Sequence, residues 1–350
     1  MTTAHTPAVE LESRGRQRHR FDLLSDALVV DTKSLVDSPA QTLCSVENAR
    51  EQQRVVAVDS VGIRPDSLSL LPLIEPDIIV LAPELANDAP TTAAAHALHV
   101  LAAQAERTGA VIVASGIDTE MHRRRALAMG ATFGIGELYS PAEADSTKHR
   151  DPVAAGLPPT WSTPPAEAAS PFDITSAEHL ATSSTKRLLI EMSTHIECQA
   201  ALSGPDTLTL GTFQHARQFG PTTRRRWRAM AARIAYTGVY GVDMRGMTDP
   251  GITHSDLDPA DPLIEEWNIV VLGQFYCCVL SARDLRSGRC ESDRRFDYVV
   301  SHDRGTVIRP AECQCGWAWD RDQTRLPWSS RREGGTRHFC VASLGILRCT

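Results

Sequence analysis

The residues best suited to chemistry are two aspartates that follow short apolar segments. Asp59 ends the segment at 54–59, and Asp118 follows the segment at 110–115. Carboxylates at such places can hold hard divalent cations, but each cation requires several oxygen ligands, most of them carboxylates. Two aspartates are too few for such a centre. The sequence therefore predicts no metal site, no bound cofactor and no catalytic residue.

The elements that position Asp59 form a strand, a loop and a helix within residues 55–71, VVAVDSVGIRPDSLSLL. This stretch resembles the EAL domain, a (β/α)₈ barrel that hydrolyses cyclic di-GMP. In that family the strand ends in two adjacent aspartates, whereas here Asp59 is followed by Ser60. The helix is predicted from about Asp66 to Leu73. The resemblance implies that one of the two paired carboxylates has been replaced.

Further signature positions of the EAL family are also changed in this chain. The Lys-Ile-Asp signature falls on Val80 and Ala82, and a metal-binding glutamate falls on Ser115. Ile135 takes the place of a glutamine in the last strand, and Val30 takes the place of a second metal-binding glutamate. The resemblance therefore leaves Asp59 and Asp118 as the remnant EAL positions.

These replacements bear on catalysis, because two-metal hydrolysis needs both cations to activate water and to stabilise the leaving oxygen. Loss of a general base alone lowers a rate by roughly 10²–10⁴. We therefore expect a degenerate domain without detectable hydrolysis. One alternative is a receptor that binds cyclic di-GMP without cutting it, using Asp59 and the backbone near Gly62 and Gly116. A second alternative is a weak cyclic di-GMP phosphodiesterase.

The EAL-like region covers only part of a barrel. A complete (β/α)₈ barrel needs about 250 residues, whereas the resemblance spans residues 21–145 and predicts the C-terminal half alone. Five strands are predicted, at 27–32, 54–59, 77–82, 110–115 and 132–138. A half-barrel leaves two strand edges unpaired. We expect these edges to be covered by a second copy of the chain, as a homodimer, or by the second domain.

Four later segments occur in the order typical of the DICT domain, a sensory module found with diguanylate cyclases and two-component proteins. They are TKRLLIEMSTHIE (185–197), LGTFQHARQF (210–219), DPLIEEWNIVVLGQFYCCVLSARDL (261–285) and RRFDYVVSHDR (294–304). The resemblance and the apolar runs predict a second α/β domain over residues 173–310. The fold class is thus α/β, with a half TIM-barrel-like module joined by a linker to a sensory domain.

A sensory domain needs a pocket, and this domain has aromatic residues that could form one. The candidates are Phe213, His215, Trp227, Tyr236 and Trp267. Small-molecule sites are mostly apolar with a few polar groups, which fits this set. In the alternative interpretation the aromatic residues belong to the core and His215 lies at the surface.

The cysteines suggest neither redox chemistry nor zinc binding. Cys277 and Cys278 are adjacent in a predicted strand, so their side chains should point to opposite faces. Near the end of the chain, Cys313 and Cys315 lack the Cys-x₂-Cys spacing that makes a zinc site convincing. We expect buried, unreactive thiols.

Composition limits the classes of partner and the cellular location that we expect. The 350 residues are 42% hydrophobic and 23% charged, with a net charge of −7, so nothing favours a nucleic acid polymer as partner. No apolar run approaches the 18–20 residues that span a bilayer, and we expect a cytoplasmic protein that does not enter a membrane. The expected organisation is a disordered N-terminus (1–20), the half-EAL domain (21–145), a linker (146–172), the DICT domain (173–310) and an irregular tail (311–350).

Together these features predict a non-catalytic bacterial signalling protein. A DICT-type sensor would be coupled to a degenerate EAL-like module, in regulation linked to cyclic di-GMP or to light. The expected partners are another protein of the pathway and a small molecule or cyclic dinucleotide. The predicted mechanism is a ligand-biased equilibrium between two domain arrangements, which requires a ligand with different affinity for the two.

Overall fold

The computed structural model of the chain describes residues 8–10, 20–21, 24, 26–62, 64–88, 91–139, 170–287 and 294–323. They form two seven-stranded sheets with helices packed against them, a mixed α/β architecture. No helix in these ranges is long and apolar enough to cross a bilayer. The predicted linker lies almost entirely outside the described residues.

The first sheet is mostly parallel. Its strands are β1 (Ala8–Glu10), β2 (Arg20–Phe21), β3 (Leu28–Asp31), β4 (Val56–Val61), β5 (Ile78–Leu81), β6 (Val111–Ala114) and β7 (Phe133–Gly134), in the order β2-β1-β7-β6-β5-β4-β3. The helices are α1 (Thr32–Asp37), α2 (Pro39–Glu51), α3 (Pro65–Ile74), α4 (Pro83–Asn87), α5 (Thr92–Thr108) and α6 (Glu120–Ala128). All five strands predicted for this region are confirmed, and the described part of the sheet does not close into a barrel.

The two edges of this sheet differ. At one edge β1 pairs antiparallel with β7 and with β2. The expectation of a disordered segment over residues 1–20 is therefore wrong for 8–10 and 20, because these residues use the backbone groups that the half-barrel leaves open. At the other edge, β3 pairs with β4 and with no second strand in the part of the chain that the structure describes.

Alternation along the parallel strands gives the first sheet two different faces. Val56, Val58 and Ile79 pack against the helices, whereas Ala57 and Val80 lie on the opposite face. Strands buried on both faces appear in a sequence as nearly continuous apolar runs. This burial explains why the sequence revealed these strands.

The second sheet is mixed. It is built from β8 (Thr182–Thr185), β9 (Leu208–His215), β10 (Tyr236–Val242), β11 (Thr253–Asp256), β12 (Glu266–Leu272), β13 (Cys277–Asp284) and β14 (Arg295–Ser301), in the order β11-β10-β9-β12-β13-β14-β8. Its helices are α7 (Pro171–Glu178), α8 (Lys186–Leu202), α9 (Pro221–Ala231) and α10 (Arg304–Gln323). Helices α8 and α9 cover one face, and α7 and α10 cover the other.

Helix α10 corrects the prediction that residues 311–350 form an irregular tail. The helix continues through residue 323, and its buried side chains Val307, Ile308, Ala311 and Cys315 recur at helical spacing. This apolar stripe begins before residue 311, so a boundary placed there divides the pattern and hides it. Residues 324–350 lie outside the described part.

The same helix joins the two domains. It packs against β12 and β13 on one side and against α2 and α3 on the other, and the side chains form one continuous apolar cluster. Direct hydrogen bonds reinforce the contact. The Gln274 side chain donates to the Val100 carbonyl at 2.8 Å, and Arg107 donates to the Gln274 carbonyl at 3.1 Å. The two domains therefore share a core rather than meeting only through a linker.

We expect one acidic side chain at this junction to make stability pH-dependent. Burial raises the pKa of Glu312 from 4.5 to about 8, against the attraction of Arg50. A raised carboxyl pKa means that stability is lost as the pH rises between these two values. Glu312→Gln should raise the free energy of unfolding by less than about 1 kcal/mol at pH 5 and by roughly 1–3 kcal/mol at pH 9, after allowance for partial exposure.

Urea denaturation of both proteins at pH 5, 7 and 9 measures this difference. Glu191→Gln is the matched control, because Glu191 is exposed on α8, and we expect the same small effect at every pH. A Glu312→Gln difference that did not grow with pH would contradict the predicted ionisation.

Candidate functional site

The carboxyl ends of β3 and β4 bring two aspartates side by side. Asp31 and Asp59 are directly opposite in the parallel register of these strands. An Asp59 carboxylate oxygen accepts the Ser60 backbone N–H at 2.8 Å, and Asp31 accepts the Ser34 N–H at 3.3 Å as the N-cap of α1. In an open parallel sheet, ligands bind beyond this end of the strands. The sequence analysis identified Asp59 but missed Asp31.

The structure corrects the assignment of Val30 to a ligand position. Val30 is buried in the cluster that faces the helices, and Asp31 ends the strand beside Asp59. Side chains of a strand alternate between the two faces. Asp31, next to Val30, therefore lies on the face away from the helices, as Asp59 does. The pairing of Asp31 with Asp59 was available only once the strand register was known.

The neighbouring strand ends offer apolar or internally bonded side chains. Val80 and Ala82 are fully buried, and Ile135 is 5% exposed. The Ser115 hydroxyl donates to the Leu81 carbonyl at 2.6 Å. A valine, an alanine and an isoleucine can neither transfer a proton nor bind a cation, and the serine is engaged with the backbone.

Asp118 has a structural role in this arrangement. Its side chain is exposed and accepts the Glu137 backbone N–H at 2.9 Å. That bond attaches the short 3₁₀ helix at Glu137–Tyr139 to the loop after β6. The Asp118 carboxylate therefore holds its own loop in place.

The glycines near these strand ends are needed for packing. Gly62 has φ +108°, and a Cβ there would lie 2.4 Å from Leu85. Gly116 has φ +69°, and its Cβ would lie 2.6 Å from Pro83. Glycine adopts these left-handed conformations at little steric cost. Helix α4 thus packs tightly against both loops.

No three His, Cys, Asp or Glu side chains gather as a metal site within the ranges that the structure describes. The two aspartates at the ends of β3 and β4 form the principal acidic feature of this edge. A hard cation held there would need most of its oxygen ligands from water or from a bound molecule.

The aromatic residues predicted to form a sensory pocket belong to two clusters on opposite faces of the second sheet. Phe213 and Trp227 are buried together, with ring centroids 5.2 Å apart, in the cluster beneath α8 and α9. Tyr236 packs in the cluster on the opposite face of the sheet. Trp267 contacts Phe296 with centroids 6.0 Å apart. Strand residues alternate between the two faces of a sheet, so the sheet separates Tyr236 from Phe213, Trp227 and Trp267.

Of those five residues, His215 lines a cavity of about 190 Å³ among the residues that the structure describes. The cavity lies where β9 and β13 end and where β12 and β14 begin. Its lining is polar and charged, in contrast to the apolar pocket expected from the sequence: Gln214, His215, Arg217, Gln218, Ile264, Glu265, Asp284, Arg286 and Arg294. The residues that line it come from four separate segments of the sequence, so no single motif could have predicted it.

The paired cysteines of β13 are poor candidates for redox sensing. Burial raises the pKa of the Cys278 thiol to about 11, and burial also raises the pKa of Cys277. The thiolate is the reactive form, so raised pKa values reduce reactivity near neutral pH. Cys315 is likewise buried in α10. Cys340 and Cys349 lie outside the described residues.

Comparison with known families identifies both regions. Residues 19–142 match the EAL domain family. Residues 174–285 match the DICT family, described as a sensory domain in diguanylate cyclases and two-component systems. No curated protein matches the chain.

Several solved structures show local similarity. Vibrio cholerae LapD S helix-GGDEF-EAL bound to c-di-GMP is 16% identical over 33% of this chain and 28% of that chain, with a TM-score of 0.31. The PaMucR phosphodiesterase in complex with c-di-GMP is 18% identical over 33% of this chain and 47% of that chain, with a TM-score of 0.28. This chain therefore spans less than half the length of either protein.

A third structure covers more of the chain. The Bacillus subtilis YkuI protein, with an EAL domain and in complex with substrate c-di-GMP and calcium, is 14% identical over 78% of this chain and 67% of that chain, with a TM-score of 0.30.

Proposed function

We propose that this chain, which joins an EAL domain to a DICT sensory domain, is a signalling protein of cyclic di-GMP regulation whose EAL part does not hydrolyse the nucleotide. The DICT domain receives a signal, and the EAL part passes it to a protein partner in the cytoplasm. Association of a fold with a pathway does not fix the activity of one member. The proposal therefore depends on the residues of each site.

One observation carries the non-catalytic part of the proposal. Beyond the adjacent Asp31 and Asp59, the strand ends present Val80, Ala82, Ser115 and Ile135. A two-metal hydrolase needs further carboxylates for its cations and a base for its water. Val80, Ala82 and Ile135 cannot supply either, and the Ser115 hydroxyl is bonded to the Leu81 carbonyl.

The shared core supports the sensory part of the proposal. Strands β9 and β12 run side by side from the cavity at Gln214 and Glu265 toward the domain junction, where Gln274 donates to the Val100 carbonyl and Asp206 lies 3.2 Å from His96 of α5. Eight residues of strand span about 26 Å. A change at the cavity end can therefore reach the EAL part through two paired strands and α10, without passage through the linker.

We expect no hydrolysis of cyclic di-GMP by the purified chain. Product formation with Mg²⁺ or Mn²⁺ should equal that of a protein-free blank, and Asp59→Ala should behave in the same way. Chromatography of the nucleotide products measures this, with an active EAL phosphodiesterase as positive control. Hydrolysis by the unaltered chain that disappears in Asp59→Ala would contradict the proposal and support a weak phosphodiesterase.

A cyclic di-GMP receptor without hydrolysis is the second candidate. It is favoured by the adjacency of Asp31 and Asp59, which could share a cation with a bound nucleotide. Isothermal titration with cyclic di-GMP and Mg²⁺ tests it, because binding by this route should be lost in an Asp31→Ala, Asp59→Ala double variant. Absence of heat at high micromolar nucleotide would eliminate this candidate.

The open edge of β3 is where a second copy of the chain could add. Its backbone groups have no further strand partner among the described residues, and such edges favour strand pairing. We include in the proposal a homodimer formed through β3. Sedimentation velocity tests it, and a compact monomer at all concentrations would contradict dimer formation.

A further inference from the structure

We propose that the outer face of α9, together with the turn after it, binds an acidic segment of a protein partner. This basic face carries five arginines: Arg224, Arg225, Arg226, Arg228 and Arg233. Binding there depends on the charges of one helix and on its ion pairs, and not on the signalling role of the chain or on hydrolysis.

The charge of this helix is opposite to that of the chain. No aspartate or glutamate occurs between Asp206 and Asp243, although the whole chain has 43 acidic and 36 basic residues and a net charge of −7. Solvent-exposed helix faces commonly alternate charges of both signs, whereas α9 carries arginines and no acidic residue. The local excess of positive charge therefore distinguishes α9 from an ordinary solvated helix.

The periodicity of α9 directs its charged side toward solvent. Trp227 and Met230 are buried in the core beneath the helix. Residues three and four positions apart share one face of a helix, so Arg225, Ala229 and Ala232 lie together on the opposite side. All three are exposed. The short alanine side chains leave room for a partner to approach the neighbouring guanidinium groups.

Two buried carboxylates hold three of the arginines in place. Arg224 donates to both oxygens of Asp249 at 2.7 Å, and Arg228 donates to the same carboxylate. Arg226 donates to Glu197 at 2.7 Å. The Asp249 and Glu197 side chains are 0% and 5% exposed, whereas these arginine side chains are 31–49% exposed. The ion pairs therefore fix guanidinium groups at the surface without covering them.

The remaining two arginines have no internal partner. Arg225 and Arg233 are exposed, and their side chains contact no carboxylate in the parts of the chain that the structure describes. Five arginines thus meet only Asp249 and Glu197 among the described acidic residues, which leaves three positive charges in excess.

This concentration of like charge costs the helix stability. Like charges three and four positions apart destabilise a helix, and Arg225 and Arg228 have such a spacing. Cations near the amino end of a helix also oppose its dipole, and the first turn of α9 has no acidic residue to complement that dipole. An arrangement that is unfavourable within the chain becomes favourable when carboxylates of a partner lie against it.

The surroundings of the basic face favour a protein over a membrane. A helix that lies on a bilayer inserts large apolar side chains from the face opposite its charges. In α9 that opposite face is buried in the domain core. Among the described residues, the exposed large hydrophobic side chains all belong to other elements. The helix therefore has charge to attract a partner but no free apolar face to enter a bilayer.

The size of the basic face favours a short acidic segment over a nucleic acid. The 11 residues of α9 span about 16 Å. A duplex carries a negative charge about every 1.7 Å along its whole length, so it would extend past this face onto a chain that is acidic overall. An acidic protein segment confines its charge to the face. Its carboxylates also accept paired hydrogen bonds from guanidinium groups.

Fluorescence anisotropy of a labelled peptide with the full chain tests the proposal. The probe is about 12 residues long, close to the length of α9, and consists of Glu-Ala-Ala-Glu repeats. Its analogue has glutamine in place of every glutamate. At about 20 mM sodium chloride, where screening is weak, we expect the acidic peptide to bind at least about tenfold more tightly than the analogue. Equal affinities, or no binding by either peptide at about 1 mM, would overturn the proposal.

Variants locate the binding. Arg225→Gln combined with Arg233→Gln should weaken binding of the acidic peptide about threefold to thirtyfold, because each exposed ion pair contributes little alone. Glutamate at both positions should abolish it. The control combines Arg124→Gln with Arg187→Gln, at exposed arginines of α6 and α8, and should leave the affinity unchanged. A control that weakened binding as much as the first variant would show attraction to overall charge and would overturn the proposal.

Two other polyanions distinguish a protein partner from the alternatives. Duplex DNA of about 20 base pairs and phosphatidylglycerol vesicles are titrated under the same conditions, and the acidic peptide should bind more tightly than either. Tighter binding of DNA or vesicles that is lost when Arg225 and Arg233 are both glutamate would assign the basic face to that polyanion and overturn the proposal. The hydrolysis assay has a separate readout, so either result can fail without the other.

Discussion

Ala311→Asp is expected to destabilise the chain so strongly that much of it is unfolded at physiological temperature. Ala311 is fully buried in α10, in the cluster shared by the second sheet and helices α2 and α3. An unpaired carboxylate in such a place costs several kcal/mol, and folded proteins are stable by only about 5–15 kcal/mol. We expect a loss of at least about 4 kcal/mol. Thermal melting followed by circular dichroism, together with limited proteolysis, measures it.

The same substitution at an exposed helical alanine distinguishes the cost of burying a charge from the cost of placing an aspartate in a helix. Ala229 is exposed on α9, and an aspartate near the end of that helix should cost only a few tenths of a kcal/mol to about 1 kcal/mol. If Ala229→Asp and Ala311→Asp melted at the same temperature, α10 would not hold the two domains together as described.

Trp227→Ala is expected to lower the free energy of unfolding by about 3–5 kcal/mol. Trp227 is fully buried, and its ring contacts those of Phe213 and Phe219. The packing leaves no spare room, since a Cβ added to Gly211 would lie 2.5 Å from the indole ring. Neighbours this constrained cannot readily fill the space of a deleted indole, so the cavity should persist. Chemical denaturation gives the free energy directly.

This substitution also distinguishes a core from a ligand pocket. Phe275→Ala is the control at an aromatic residue that is 62% exposed, and it should cost less than about 1 kcal/mol. If Trp227→Ala kept full stability, the aromatic cluster would not be part of the core, and the sensory pocket predicted from the sequence would be the better interpretation.

The first domain could largely be predicted from the sequence because its signals are local. Its parallel strands are buried apolar runs, and the boundaries of its helices depend on single residues. Thr91 caps α5, Thr119 caps α6, and Gly109 ends α5 with φ +73°. Each of these features depends on residues a few positions apart, where sequence patterns are most informative.

The features that were missed depend on contacts between distant segments. The role of Asp31 required the register of β3 against β4. The charged cavity gathers residues from the ends of four strands, which are adjacent only after the sheet has formed. The aromatic residues assigned to a pocket come from separate segments between residues 213 and 267 and lie on two faces of one sheet, so composition alone could not assign their partners.

The shared core has a consequence for the order of events during synthesis. The apolar sides of α2 and α3 are complete after about 75 residues, yet the helix that covers them begins at Arg304. While the ribosome adds the intervening segment, at about 5–20 residues per second, those surfaces stay without their native cover for at least roughly ten seconds. The EAL part made on its own would keep that exposed patch permanently, which favours aggregation. Chaperone binding to nascent chains should therefore fall sharply once α10 leaves the ribosome.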